Sequence, residues 1–103
     1  MGQVFPYVAV PAISNGTDLV SELKPSPYPR RLLRLTVAGP NNSKVQVYVI
    51  SISPSNLIDQ TSRGQSNTAD YTNAIVILPN VSVFVVWPAV NGTASATFFM
   101  DGN

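Results

Sequence analysis

The sequence predicts an all-β fold, a single antiparallel β-sandwich or jelly roll of about seven or eight short strands. Nine Pro and six Gly interrupt the chain, so that no window keeps a sustained 3.6-residue apolar period, which argues against long helices. Short β-rich runs with alternating apolar residues lie between these breaks. A length of 103 residues suits one core, so we expect residues 1–103 to form one domain.

Two strands are predicted in the first quarter of the chain. Residues 4–10 form a β-branched run interrupted by Pro6, a pattern typical of an edge strand or an arm. We therefore expect residues 1–11 to form an N-terminal arm. Residues 17–23 alternate in polarity and predict a second strand. One face of that strand would consist of Leu19, Ser21 and Leu23.

The middle of the chain predicts a stiff connector, a hairpin and a long loop. Prolines at every second position favour extended backbone over residues 25–29. The alternating runs at residues 33–37 and 44–52 flank the turn-forming sequence Gly-Pro-Asn-Asn at residues 39–42, which predicts a β-hairpin. Residues 53–73 are polar, and we expect them to form the longest loop, ordered by a partner.

The last third of the chain predicts a meander. Three β-rich runs, at residues 74–78, 81–87 and 93–100, are separated by turn-forming pairs. The second pair, Asn91-Gly92, suits a type I′ turn and predicts the last hairpin. Residues 81–87 predict the central core strand. The buried face of the last run would consist of Ala94, Ala96, Phe98 and Met100.

Residues that carry chemistry are scarce in this sequence. The chain has no His and no Cys, so the usual general base, the thiolate nucleophile and the commonest transition-metal ligands are missing. Ser26 lies near Lys24, but no catalytic motif surrounds the pair. The nearest carboxylates, Asp18 and Glu22, would lie on one solvated strand face and not across a cleft. The sequence predicts a protein that is not an enzyme and has no cofactor and no metal site. Calcium binding by Asp59, Asp70 and Asp101 is an alternative for which the sequence gives no support.

Charged residues make up 11% of the chain, against about 25% in ordinary soluble domains, and the net charge is +1. A surface with so little charge favours a homo-oligomer, although a monomer kept soluble by Ser, Thr and Asn remains an alternative. No basic leader and no apolar run long enough to cross a bilayer is visible. We therefore expect synthesis in the host cytoplasm and no membrane partner.

Most of the basic residues precede the chain midpoint, and Arg30-Arg31 opens a predicted strand. Three interpretations remain open: an acidic protein partner, a nucleic-acid backbone, or a solvated face. The net charge of +1 argues against nucleic acid. A tryptophan at the position of Trp87 is more often a core residue or an interface anchor than a platform for a ligand. The candidate partner-binding residues are Val4, Phe5, Tyr7, Arg30, Arg31, Arg34 and Trp87.

The sequence Pro29-Arg30-Arg31-Leu32-Leu33-Arg34-Leu35, followed by Val47-Tyr48-Val49, resembles small β-sandwich virion proteins of tailed bacteriophages, of the capsid decoration or cement type. The resemblance implies a subunit, often trimeric, that binds the major capsid protein on the outside of the capsid lattice. It implies a location on the capsid surface of the virion.

The leading hypothesis is therefore a non-enzymatic viral structural protein that stabilises a capsid. The alternative is a carbohydrate-binding or receptor-binding β-sandwich module of a virion tail or fibre. Such a module would need exposed aromatic rings on which sugars stack. The rings available for this are Tyr28, Tyr48, Tyr71 and Trp87.

Overall fold

The computed structural model describes residues 7–102, which form nine strands in two antiparallel sheets and one short 3₁₀ turn at Pro54–Asn56. The all-β prediction is confirmed, with more strands than the seven or eight expected. That residues 1–103 form one domain stays a prediction. The strands are β1 Tyr7–Pro11, β2 Ile13–Asn15, β3 Asp18–Leu23, β4 Arg30–Ala38, β5 Val45–Val49, β6 Leu57–Thr61, β7 Ser66–Ile77, β8 Val83–Trp87 and β9 Ser95–Gly102.

The two sheets enclose the core between them. The four-stranded sheet has the order β1-β9-β4-β7, and the five-stranded sheet has the order β2-β3-β8-β5-β6. Both sheets contribute alternate side chains to a single buried cluster, as expected for a sandwich. The largest fully buried side chains are Trp87, Phe98, Leu32 and Ile77. Within the described residues, no helix has the length and apolar character needed to span a membrane.

Several strand predictions are confirmed. β3 buries Leu19, Ser21 and Leu23, as the alternation predicts. β8 lies in the middle of the five-stranded sheet, so residues 83–87 do form a central core strand. The predicted apolar face of the last run is also buried throughout: Ala94, Ala96, Phe98 and Met100.

The predicted hairpins at residues 39–42 and 91–92 and the C-terminal meander are wrong. Residues 39–42 connect β4 of the four-stranded sheet to β5 of the five-stranded sheet, so these strands do not pair. Strands β7, β8 and β9 likewise alternate between the sheets. Gly92 has a positive φ of 120° but Asn91 does not have a positive φ, which excludes the type I′ turn. Turn-forming residues mark where the chain reverses and not which sheet the next strand joins.

The predicted long loop at residues 53–73 is also wrong. It contains β6 and most of β7, a strand of 12 residues. In β7 the exposed Ser66, Thr68 and Asp70 alternate with the half-buried Asn67 and Ala69. This alternation was hidden because both faces of the strand are polar or small, so no apolar period marks it.

The predicted N-terminal arm is only partly described. Residues 7–11 form β1, which pairs with β9 at the edge of the four-stranded sheet, as the edge-strand alternative predicts. Val4 and Phe5 lie outside the described residues. The proline-rich connector, residues 24–29, contains no regular element, as its spacing predicts.

Candidate binding face

Four side chains on the outer face of the four-stranded sheet form a row that crosses all of its strands. Tyr7 of β1 lies opposite Phe99 of β9, and Phe99 lies opposite Arg34 of β4. Arg34 in turn lies opposite Asp70 of β7. Because residues in register stand side by side on one sheet face, these four groups are neighbours. We call them the aromatic–arginine row.

The contacts within the aromatic–arginine row are specific. The ring centroids of Tyr7 and Phe99 are 5.5 Å apart, at an interplanar angle of 35°. The Arg34 guanidinium carbon lies 5.9 Å from the Phe99 centroid, within the range of a cation–π contact. Arg34 Nε donates a hydrogen bond of 2.6 Å to Asp70 Oδ1. Tyr7 is 63% exposed, so the row presents a large amphipathic ring to solvent.

The row has different neighbours on its two sides. On one side Arg31 forms an ion pair with Asp101, next to the exposed Val76. On the other side the hydroxyls of Thr36 and Thr68 lie 3.3 Å apart. The face therefore combines aromatic rings and arginines at its centre with threonines and carboxylates around them.

The structure brings together three of the predicted partner-binding residues, Tyr7, Arg31 and Arg34. Arg30 lies apart from them, because its Nη2 donates to the carbonyl oxygens of Lys24 at 3.2 Å and Val81 at 3.5 Å. Its Nε is buried without a hydrogen-bond partner among the described residues, and burial lowers the pKa of this guanidinium.

The structure places Trp87 in the core, with no exposed surface. Its indole nitrogen donates a hydrogen bond of 2.9 Å to the carbonyl oxygen of Gly64. The ring is thus held between the sheets and presents no surface to a partner. Of the interpretations given for Trp87, a core residue is the one that describes its position.

Two residues of the row, Phe99 and Asp70, are missing from the sequence prediction. The alternation of residues 93–100 already placed Phe99 on the face opposite Phe98, so its outward direction was readable. Asp70 fell in the predicted loop. Its position beside Arg34 depends on a pairing between β4 and β7 that no local pattern indicates.

The described residues hold no arrangement suited to metal binding or to carboxylate chemistry. No group of three or more His, Cys, Asp or Glu side chains lies close enough to hold a metal ion within residues 7–102. All five carboxylates accept hydrogen bonds from nearby donors, and three of them form ion pairs. The described residues therefore present no free carboxylate pair for acid–base work.

The four aromatic rings that the glycan-binding alternative requires do not form a platform. Tyr48 and Trp87 are buried. Tyr71 is half-buried and donates a hydrogen bond of 2.9 Å to Asp59. Tyr28 alone of the four is exposed, at 58%. One isolated ring does not form the aromatic surface on which that alternative depends.

A groove of about 470 Å³ lies on the outer face of the five-stranded sheet. Its lining is largely apolar and includes Ile13, Val20, Ile52 and Phe84. Glu22 also lines it, where a hydrogen bond of 2.8 Å from Ser82 is the main cause that lowers the pKa of this carboxyl. Nothing in the structure indicates what covers this groove, so it is not assigned a role.

Comparison with solved structures shows that the fold occurs in a known protein. The fold is similar to that of PliG from Aeromonas hydrophila, a periplasmic lysozyme inhibitor of g-type lysozyme, with a TM-score of 0.55. The match covers 94% of this chain and 88% of that chain, at 8% sequence identity, and so shows a shared fold. No family model matches the sequence, and no curated protein matches it.

This match overturns the viral predictions. The structural neighbour is a bacterial periplasmic inhibitor and not a virion protein, so the resemblance to capsid decoration proteins is wrong. The predicted capsid and tail functions, the major capsid protein and self-trimer as partners, and the virion location are wrong with it. The physical reason lies in the motif, because its arginine-led half is in β4 and its Val-Tyr-Val half is in β5 of the other sheet. The two halves are ordinary strand patterns that do not form one surface.

Proposed function

We propose that this chain is a non-enzymatic protein inhibitor that binds a lysozyme through the aromatic–arginine row. The observation that carries the proposal is the unbroken sequence of contacts from Tyr7 through Phe99 and Arg34 to Asp70. The fold shared with PliG, an inhibitor of g-type lysozyme, supports the choice of partner.

The residue types of the row are those on which protein interfaces depend. Tyr and Arg are enriched among the few residues that dominate binding energy, and they act best at the centre of a contact. Here Tyr7 and Arg34 stand beside the partly buried Phe99, and the bordering threonines suit a polar rim. The row therefore has the composition of an interface centre and its surround.

The chemistry of arginine also fits a glycoside hydrolase as partner. Such enzymes work with a pair of carboxyl groups beside the bond they cleave. Arg34 bonds to Asp70 through Nε, and Arg31 bonds to Asp101 through Nη2. Each guanidinium carries five N–H donors, so donors remain for carboxylates of the partner.

The row is preorganised before any partner arrives. Its four residues stand on paired strands, and Arg34 is fixed between a ring and a carboxylate. A side chain that is already ordered loses less conformational entropy on binding, which improves affinity without any new contact.

The test is a lysis assay with g-type lysozyme and bacterial cell walls, paired with calorimetric titration. We expect the protein to slow lysis and to bind in the calorimeter. Arg34→Ala should weaken binding by about 2 kcal/mol or more, as central arginines do. Arg63→Ala is the matched control, because Arg63 is exposed on the loop between β6 and β7. A protein that neither binds nor slows lysis overturns the proposal, as does equal loss in both variants.

A further inference from the structure

The core of the sandwich is covered differently along its two edges, the β1 side and the β7 side. On the β1 side the chain passes directly from the four-stranded to the five-stranded sheet, and the Ala12 amide donates to Ala94 O at 2.7 Å. Ser21 Oγ, from the five-stranded sheet, donates to Val10 O at 3.0 Å. This side of the core is thus covered by chain and by hydrogen bonds.

On the other side the edge strands β7 and β6 face each other across an opening. The Tyr71 hydroxyl donates to Asp59 Oδ2 at 2.9 Å and links the two edges. The opening encloses about 10 Å³, roughly the space of one water molecule, which is too small for an organic ligand. Its apolar lining comes from the core residues Leu35, Val37, Val45 and Val47.

The outer edge of β7 has free backbone groups. Residues 66–70 pair regularly with residues 34–38 of β4, and no strand within residues 7–102 pairs with their other edge. The backbone N–H and C=O groups of every second residue in this stretch therefore point away from the sheet. The backbone of another strand can form hydrogen bonds with all of these outward N–H and C=O groups.

Within residues 66–70 the edge of β7 lacks the features that usually prevent strand addition. This stretch contains no Lys and no Pro, its one charge, Asp70, lies at its end, and the register shift between β7 and β4 begins only after Asp70. The other edges are less suited: β1 ends at Pro11, β2 has 3 residues, and β6 carries Asp59 opposite an irregular register.

We propose that residues 66–70 of β7 accept an extended segment of a partner protein as an additional antiparallel strand. Side chains of the added strand that lie beside Asn67 and Ala69 would face the apolar opening, and those beside Ser66 and Thr68 would face solvent. The segment should therefore alternate apolar and polar residues. The inference concerns the sheet edge and holds whether or not the aromatic–arginine row binds lysozyme.

The first experiment uses a short capped peptide in which valine alternates with threonine and lysine. A peptide of the same composition with its valines consecutive is the control. With the isotope-labelled full chain, we expect the alternating peptide to shift the NMR amide signals of residues 66–70 and to slow their hydrogen exchange. The control peptide should do so far less. Perturbation that avoids β7, or no perturbation with either peptide, overturns the proposal.

The second experiment compares two variants of the same strand. Ala69→Lys places a charge at the opening, whereas Ser66→Lys adds the same charge on the outer face. We expect Ala69→Lys to weaken peptide binding about tenfold, the cost of an unpaired polar group at the contact, and Ser66→Lys, whose charge stays in solvent, to weaken it clearly less. Asn67→Lys replaces Ala69→Lys if the latter unfolds. Equal binding by the inner and outer variants, or dimerisation of the chain through β7 in light scattering, contradicts a partner segment as the occupant.

Discussion

The indole nitrogen of Trp87 donates a hydrogen bond of 2.9 Å to the carbonyl oxygen of Gly64, which lies 23 residues earlier in the chain. This bond ties the central strand β8 to the loop between β6 and β7. Gly39 packs against the same ring, since a Cβ at Gly39 would lie 2.6 Å from the indole nitrogen. Gly64 N in turn donates to Ser43 O at 2.8 Å. One end of the sandwich is therefore organised around a single side chain.

Trp87→Phe should destabilise the protein by about 1–3 kcal/mol, because it leaves the buried Gly64 carbonyl without its donor and also leaves a small void. Urea unfolding followed by circular dichroism measures the change. Tyr28→Phe, at an exposed ring, is the control and should change stability by less than about 0.5 kcal/mol. Equal stability of Trp87→Phe and the native protein would show that the bond contributes nothing.

Gly39→Ala should destabilise by about 1–3 kcal/mol through overpacking against Trp87. Gly16→Ala is the matched control, because a Cβ there meets nothing within 4 Å and costs only the strain of its positive φ of 69°. Trp87 is the only tryptophan, so its fluorescence reports on this site alone. We expect the emission maximum to shift in Gly39→Ala and not in Gly16→Ala, and the reverse pattern would refute the packing argument.

The hydrogen bond from Tyr71 to Asp59 predicts an alkaline effect. Burial, with help from that carboxylate, raises the pKa of the Tyr71 phenol well above its ordinary value. Because the folded pKa exceeds the unfolded one, the stability linked to this proton is complete below about pH 10 and falls as the pH rises further. When tyrosine ionisation is followed by ultraviolet absorbance, Tyr71→Phe should remove the step that occurs at the highest pH. It should also cost about 0.5–1.5 kcal/mol near neutral pH. An unchanged titration would contradict this assignment.

Ser82→Ala should raise the pKa of Glu22 toward its ordinary value, since the Ser82 hydroxyl is the main group that lowers it. The folded pKa of Glu22 lies below the unfolded one, so the linked stability is present above the ordinary pKa and is lost as the pH falls. NMR titration of the Glu22 side chain measures the shift. Lys24→Met should also raise the pKa, because the Lys24 ammonium both donates a hydrogen bond to Glu22 and attracts its negative charge. A Glu22 pKa that does not rise in Ser82→Ala would refute this account.

The Arg34 and Asp70 ion pair should contribute little to stability. Both side chains are more than half exposed, and exposed pairs typically contribute less than about 1 kcal/mol. A double-mutant cycle with Arg34→Met and Asp70→Asn, measured by urea unfolding, should give a coupling energy below that value. A larger coupling would mean that the pair supports the fold, and loss of binding in Arg34→Ala would then need a structural explanation.

The sequence predicted the core better than it predicted the sheets. Leu19, Leu23 and Phe98 are buried where alternation placed them, because a strand with one buried face shows its period locally. The assignment of strands to sheets could not be read, because the turn residues at 39–42 specify a reversal and not a partner strand. Strand β7 was not predicted, because its first residues are mostly polar and show no apolar period.

The binding face could be predicted only in part. Tyr7, Arg31 and Arg34 were named from residue type, but their association depends on β9 pairing with both β1 and β4. Those pairings join residues far apart in the chain, such as Phe99 and Arg34, which are more than 60 positions apart. Arg30 and Arg31 are adjacent in sequence and yet fall on different surfaces, because successive strand residues point in opposite directions.

The aromatic–arginine row can also be used to detect whether the four-stranded sheet is folded. Its members come from four distant points of the chain, residues 7, 34, 70 and 99, and meet only when the four-stranded sheet has formed. No linear peptide from this sequence reproduces the row. An antibody raised against that patch would therefore recognise a discontinuous epitope, and its loss in an immunoassay would report denaturation of that sheet in an unpurified sample.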